Sequence, residues 1–445
     1  MDSANRRLNA IQRALAPNGG WKRVLVLPDD ARVDVSPAPD AAQPTKIAIE
    51  GTVVGLFRTL PRSLALVISA VGTPHEKTAD HVPKFSLLEI LPPAAVDASA
   101  PATISIPDLW AIVYTLHTVL HTQETIPIVL SPEIQNAASL SEYLLVSGLA
   151  RKRHTLPSDT ATAAAEPEHF LLRETFWQGA GTVSYHMRGW LRGQCAQLAG
   201  APFPNTQSFT RTPLVIAAHP LRPPKPRPGE VIYRRWIPSL GQMLEFTYFD
   251  LEGHGPGVEC EGESGVSLHL ATFHRWHNSD HVNRGWGERG PLEKHRAYVR
   301  DLMADPCVLP VMMSWDGELM GYAEMVYIKE NHVAPYVPRG AWDYDRGLHV
   351  LVGQEKFRGI HRSKGWFANI HHFLFLSDPR TERIIGEPKA ANAAVIKLSE
   401  AVGMNVNTIF DFPYKRSALT WLPRDRFFRY DVLAFAEDRD ATARK

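Results

Sequence analysis

Between Pro220 and Gly229 the chain reads Pro-Leu-Arg-Pro-Pro-Lys-Pro-Arg-Pro-Gly. Proline fixes φ and lacks an N–H, so this run fits neither a helix interior nor a central strand. An extended linker is expected there. It divides the sequence into an N-terminal domain at 1–219, a linker at 220–230 and a C-terminal domain at 231–445. The chain has 445 residues, 44% hydrophobic and 21% charged, which is ordinary globular composition. Each part is long enough to bury its own core.

Charge narrows the function classes. Lysine and arginine total 48 against 47 aspartates and glutamates, a formal net charge of +1. Holding nucleic acid through its phosphates needs a basic excess, so no nucleic-acid partner is expected. Cys195, Cys260 and Cys307 are far apart. They form neither a disulfide framework nor a metal spacing, which suits a reducing compartment. Apolar runs such as Leu64–Val71 are too short to span a bilayer. Leu8, Ile11 and Leu15 recur at helical spacing where a signal peptide would carry its apolar core. The final Ala443-Arg444-Lys445 lacks the Ser-Lys-Leu peroxisomal address. A cytoplasmic protein with no membrane partner is expected.

The first half reads as α/β, with strands at Lys46–Thr59, Leu64–Val71 and Ile126–Leu130 and a buried helix at Asp108–Leu120. Residues 157–167 read as a surface loop. His117 and His121 lie four apart without the glutamate of a zinc-protease helix, and are expected on a helix surface. In the second half, Val231–Phe249 and Val266–Phe273 read as strand segments. Leu292, Tyr298, Val299 and Leu302 form a helical stripe before Pro306. Cys307–Trp315 and Leu319–Ile328 form a hairpin about Asp316-Gly317. Leu348–Gln354 is a strand that passes through a loop into a helix at about 362–376. A strand at Arg383–Gly386, a helix at Asn392–Val402 ended by Gly403, and strands at Val406–Phe412 and Leu419–Leu422 follow. The central strand–loop–helix unit points backbone N–H groups and the positive end of a helix dipole at one spot. That arrangement suits an anion such as a pyrophosphate.

This order resembles the GNAT acyl-CoA N-acyltransferase fold. Lys356-Phe357-Arg358-Gly359-Ile360-His361 is similar to that fold's pyrophosphate loop, with Gly359 matching, Lys356 replacing the first residue and His361 standing where a small residue is usual. The run Asn392–Met404 resembles a second helix of the fold at Asn392, Leu398 and Gly403, with Ser399 where many members carry a tyrosine general acid. A narrower resemblance lies in Phe273-His274-Arg275-Trp276-His277-Asn278, Gly321-Tyr322-Ala323-Glu324, Tyr344-Asp345-Arg346-Gly347-Leu348-His349, Phe357-Arg358-Gly359, Asp378-Pro379-Arg380-Thr381, Gly386-Glu387-Pro388 and Phe410-Asp411-Phe412-Pro413-Tyr414-Lys415-Arg416. Together these are similar to the siderophore-biosynthesis N-acyltransferases that modify hydroxyornithine or hydroxylysine, over about residues 231–430. The two-domain length resembles the fungal hydroxyornithine transacylases, whose N-terminal half is a diverged, non-catalytic copy of the fold.

The resemblance implies an α/β protein with a GNAT fold in its C-terminal half and a diverged GNAT-like N-terminal half. It implies acyl transfer from acyl-CoA, a co-substrate, to the hydroxylamine nitrogen of N5-hydroxy-L-ornithine, with no metal. Hydroxylysine or a plain amine as acceptor, and an inert CoA-binding scaffold, are the alternatives.

The chemistry calls for a base, an oxyanion donor and a route for the thiolate. His349 begins the strand that leads into the loop, and the resemblance makes it the base; orienting a strand end is the other reading. Glu387 could orient His349, carry the proton or hold an arginine. Val350, Leu351 and Val352 would pair with the pantetheine arm as an added strand. Lys356, Phe357, Arg358, Gly359, Ile360, His361, Arg362, Ser363 and Lys364 would surround the pyrophosphate. Asn392 would bond the pantetheine amide or cap a helix. For the amino-acid substrate, His277, Asn278 and Trp286 would form one wall, and Glu324, Tyr344 and Asp345 would bind its polar ends. His274, His277 and His281 have a zinc-like spacing, but no carboxylate or cysteine completes the set. Trp366, Phe367, Phe373 and Phe375 are expected in the core.

Overall fold

The computed structural model describes residues 20–38, 43–65, 84–94, 101–120, 123–152, 168–181, 188–191, 207–237, 240–429 and 432–433. The helix expected near residues 8–15, most of the strand at 64–71, the loop at 157–167, His121 and Cys195 lie outside the described residues. The chain forms two compact units, residues 1–189 and 190–445.

In the first unit the strands are β1 (Lys22–Val26), β2 (Arg32–Ser36), β3 (Thr45–Ile49), β4 (Thr52–Ala65), β5 (Lys84–Leu91), β6 (Thr125–Leu130), β7 (Ala150–Arg151) and β8 (His169–Leu172). They form one sheet in the order β1-β2-β3-β4-β5-β6-β8-β7. All neighbours are antiparallel except β5 and β6. A parallel pair needs a crossover, which α1 (Ile106–Val119) supplies. α2 (Ala137–Val146) follows β6, and α3 (Arg173–Trp177) follows β8. The single strand expected at 46–59 is a hairpin, because Glu50 (φ 49°) and Gly51 (φ 81°) turn the chain between β3 and β4. His117 is buried on α1 and stacked on Phe176, not on the surface. Burial, then the charge of Arg173, pulls its pKa down to about 3.

The second unit contains β9 (Gln207–Arg211), β10 (Ile216–Pro220), β11 (Val231–Ile237), β12 (Gln242–Tyr248), β13 (Val258–Cys260) and β14 (Glu263–Val266). Three helices follow, α4 (Leu268–His277), α5 (Asp280–Trp286) and α6 (Leu292–Ala304). Then come β15 (Val308–Trp315), β16 (Glu318–Tyr327), β17 (Arg346–Val352), α7 (Ile360–Ser377), β18 (Arg383–Gly386), α8 (Ala393–Ala401), β19 (Asn405–Asp411), β20 (Arg416–Pro423) and α9 (Arg424–Arg429). The main sheet runs β11-β12-β15-β16-β17-β18-β20-β19, antiparallel except for β17–β18. This repeats the order of the first sheet. In each, five antiparallel strands are followed by one parallel step under a long helix, and the last two strands are exchanged. The N-terminal half therefore carries the same GNAT-like topology, without counterparts of α4, α5 and α6 between its second and third strands.

The proline run is extended, but the units divide before it, at Gly189 and Trp190. The reason is that the run is bound along the second unit. Buried Arg222 donates to Glu330 (Nη2–Oε2 2.7 Å), and Lys225 Nζ donates to the Leu302 and Met303 carbonyls (2.7 and 2.8 Å) in the last turn of α6. A second correction concerns 266–273, expected as a strand. Ser267 Oγ accepts from Leu270 N–H at 3.1 Å, so α4 starts there, and the buried Leu270, Phe273, His274 and His277 follow a helical period. Trp366, Phe367, Phe373 and Phe375 of α7 are buried. No helix among the described residues is long and apolar enough to cross a membrane.

Candidate active site

β17 and β18 share only two residue pairs, Arg346–Ile384 and Gly347–Ile385. β17 continues against β16 as far as Val352. From His349 onward its other edge has no strand beside it among the described residues, so main-chain groups along Val350, Leu351 and Val352 can pair with an extended ligand. In the first unit the equivalent pair stays together through Leu88, Glu89 and Ile90, close to the end of β5, and no such gap opens.

His349 stands where the gap begins, half-buried. Its Nδ1 is 3.0 Å from Glu324 Oε2, its cross-strand partner on β16. Its Nε2 is 3.6 Å from Oε1 of Glu387, the residue just after β18. Buried Glu324 also accepts from the hydroxyls of Tyr298 (2.6 Å) and Tyr322 (3.2 Å). Glu387 accepts from Lys415 Nζ at 2.9 Å. A chain of polar contacts therefore runs Tyr298–Glu324–His349–Glu387–Lys415, from α6 to the turn between β19 and β20.

The charges follow from that chain. Burial alone would lower the His349 pKa. The hydrogen bonds and charges of Glu324 and Glu387 override it, and the pKa is pushed up to about 10. Burial works against ionising Glu387, but His349 and Lys415 hold it well below the usual carboxylate range. Burial first, and then the charge of Glu324, raises both Tyr298 and Tyr322, so they stay neutral donors. The His332 ring stacks 6.2 Å from His349, and its Nε2 is 2.9 Å from the Tyr414 hydroxyl. Burial lowers the His332 pKa.

The residues expected to bind the amino acid are distributed differently. Glu324 is taken up by His349 and two tyrosine hydroxyls. Asp345 is 1% exposed, and both its oxygens are taken by Arg383 (2.8 Å each). Tyr344 lies under the Arg380 guanidinium, 4.1 Å from its ring centre, and lines a separate concavity with Trp342 and Lys329. Asn278 is clamped to the Gly290 backbone through both ends of its amide (3.0 and 3.1 Å). His277 is fully buried against Phe273 and Trp286, and burial, with electrostatic contributions from His295, Lys294 and His274, pulls its pKa down to about 3. Trp286 lies 6.1 Å from the ring of Tyr322, so this wall reaches the Glu324 cluster through Tyr322. Sequence reasoning missed Tyr298, His332 and Lys415 as site residues. Tyr298 was visible only as one tooth of a helical stripe.

The loop after β17 places Gly359 as the residue before α7, at φ 129° and ψ 148°. Side-chain-bearing residues are strained there. α7 has no side-chain cap, and its first internal bond is Ser363 N–H to Gly359 C=O (2.9 Å). The N–H groups of Ile360, His361 and Arg362 thus point out of the helix start. Arg358 and His361 are exposed, and Ser363 and Lys364 are partly so. Phe357 is buried and can offer only its backbone. Lys356 pairs with Glu318 (2.5 Å), and Arg362 bonds Gln242. In the first unit the start of α1 is already filled. Ser105 Oγ caps Asp108 N–H at 3.2 Å, with Pro107 and the acidic Asp108 in the first turn. Asn392 caps α8, accepting from Val395 N–H at 3.3 Å, while Ser399, at the usual tyrosine position, is buried.

Two clusters bear on metal binding. His219, Cys307 and Glu330 place ligand atoms within 4.8 Å of one another, but the Arg222 guanidinium already occupies Glu330 and would repel a cation. His274, His277 and His281 do not converge. His274 joins Glu261 and His295 (2.8 Å each), and His281 faces Glu355 at 3.4 Å.

The opened strand pair is followed by an uncapped helix, α7. A family model described as "Acetyltransferase (GNAT) domain" matches residues 266–412. The chain is 38% identical to "Acyltransferase ato1" of Omphalotus olearius, over 89% of this chain and 94% of that protein. It is 35% identical to "N(5)-hydroxyornithine:cis-anhydromevalonyl coenzyme A-N(5)-transacylase SIDF" of Beauveria bassiana, over 77% of this chain and 76% of that one. To "Hydroxyornithine transacylase SID3" of Ajellomyces capsulatus it is 33% identical, over 72% and 71%. The chain belongs to this family of GNAT acyltransferases and is an enzyme of that class.

Proposed function

We propose that the protein transfers the acyl group of an acyl-CoA to the hydroxylamine nitrogen of N5-hydroxy-L-ornithine, forming a hydroxamate for siderophore synthesis. The observation that carries the reading is the open edge of β17, which ends at an imidazole held between two carboxylates. In this proposal Val350–Val352 pair with the pantetheine arm, and the loop from Lys356 to Lys364, chiefly its backbone N–H groups, holds the pyrophosphate. Asn392 has an exposed amide that can still reach the arm. His349 moves the proton, and Glu387 with Lys415 fixes its outer face. The choice of hydroxyornithine rests on the names of the similar proteins. The N-terminal unit, with its closed strand pair and filled helix start, is proposed as a non-catalytic copy. A cytoplasmic setting belongs to the same proposal.

The test is thiol release from a panel of acyl-CoA donors with N5-hydroxyornithine, N6-hydroxylysine and ornithine. Hydroxyornithine should give the highest kcat/KM. Equal or faster turnover of hydroxylysine or ornithine would refute the acceptor assignment, and no release with any donor would refute the reaction. Gly359→Ala should raise the KM for acyl-CoA by roughly 5- to 150-fold, since about 1–3 kcal/mol of backbone strain falls on the loop. An unchanged KM would show that the loop does not hold the donor.

A further inference from the structure

We propose that His349 enters the reaction as an imidazolium and gives its Nε2 proton to the departing thiolate, instead of waiting as a neutral base. The proposal rests on the acyl-transfer reading above. Its ground is that both ring nitrogens face carboxylate oxygens, Glu324 Oε2 at 3.0 Å and Glu387 Oε1 at 3.6 Å. A neutral imidazole carries one N–H and one lone pair. In either tautomer the lone pair would point at a negative oxygen. Only the doubly protonated ring satisfies both sides.

The surrounding groups agree. β16 contributes Glu324 and Tyr322, and α6 contributes Tyr298. The residue after β18 is Glu387, the β19–β20 turn brings Lys415 and Tyr414, and the segment after β16 brings His332. Glu324 and Glu387 are two negative charges against the single positive charge of Lys415. A charged His349 balances the cluster, and a neutral one leaves it negative. The two N–H groups also differ. The Nδ1 contact is short and faces a buried carboxylate, so that proton is fixed. The Nε2 contact, to Glu387, is longer, so that proton is the more weakly held and the one able to move.

A hydroxylamine nitrogen is much less basic than an alkylamine, because the adjacent oxygen withdraws electrons. It is neutral near pH 7 and can attack without first losing a proton. Its lone pair forms the C–N bond at the thioester carbonyl, and the C–S bond breaks with its electrons going to sulfur. The Nε2 proton passes to sulfur and makes the thiol. The surplus proton on the new amide nitrogen returns to Nε2 and restores the imidazolium. No proton is gained or lost overall.

Two readouts on the full chain test this. In the pH dependence of kcat, activity should persist through neutral pH and fall at an alkaline limb as His349 loses its proton. Glu324→Gln should move that limb down by about 1–3 pH units, the usual effect of one close charge. If that variant does not fold, Glu387→Gln gives the same readout. A rate that instead rises through the His349 titration would make it a base and overturn the proposal. The second readout needs no turnover. With isotope-labelled histidine, the His349 resonance, assigned by its loss in His349→Asn, should report a cation from neutral pH up to about 10. Titration near the ordinary value of about 6.5 would overturn the proposal whatever the activity. A resting cation in a protein that transfers no acyl group would overturn the donor step through failure of the acyl-transfer reading, and would leave the charge state standing.

Discussion

His349→Asn should lower kcat for acyl transfer by about 10²- to 10⁴-fold, the usual contribution of a positioned proton-transfer group. The KM for acyl-CoA should change little, because the main chain of Val350–Val352 and the loop before α7, which would hold the donor, are left in place. Folding should survive as well. Glu387 keeps Lys415, and Glu324 keeps the hydroxyls of Tyr298 and Tyr322 but loses its cationic partner. The stability loss should exceed the ~1 kcal/mol of an ordinary hydrogen bond and stay below the ~3–5 kcal/mol of a fully buried ion pair, because the imidazole is half-buried. Initial rates together with a urea melt separate these effects. Full kcat in a folded variant would remove His349 from the chemistry.

Asp345→Asn should destabilise the fold by about 3–5 kcal/mol, because it strands a buried charge. Arg383 lies between Trp342, 3.8 Å from its guanidinium, and Trp421 at 5.4 Å, and Asp345 supplies both carboxylate oxygens to it. Asparagine keeps the shape but removes the charge. Urea denaturation should show a lower midpoint with an unchanged slope. A substrate ligand would behave in the opposite way, with normal stability and a raised KM for the amino acid. That second pattern would return Asp345 to the active site.

The two residues illustrate what the sequence could tell. The fold of the second unit was legible because local signals agree with the tertiary structure. Asp316-Gly317 turns β15 into β16, Gly359 precedes α7, whose buried apolar residues begin at Trp366, and Gly403 stops α8. Glu387 was legible because it follows a strand end in Gly-Glu-Pro, and His349 because the motif resemblance marks it in the strand that leads into the Gly359 loop. The substrate residues were not. Asp345 and Glu324 are both buried carboxylates, each in one of the quoted motifs, and nothing local distinguishes one held by Arg383 from one held by His349. Those partners lie far away in sequence, on β18 and β17. Tyr298 and Lys415 joined the site only when α6 and the β19–β20 turn were folded against the sheet. The start of α4 was misread because its aromatic and branched residues suit a strand, while the capping role of Ser267 was passed over. The repeat between the two sheets was hidden for a related reason. It resides in strand order and pairing direction, which two diverged sequences can share without common residues.

The product formed from N5-hydroxyornithine and acyl-CoA can be identified by mass spectrometry and by its colour with ferric iron. The enzyme should yield one acyl adduct that chelates iron as a hydroxamate, and His349→Asn should lose it in parallel with thiol release. An adduct of the same mass that does not chelate iron would place the acyl group on oxygen or on the α-amine, and would contradict transfer to the hydroxylamine nitrogen.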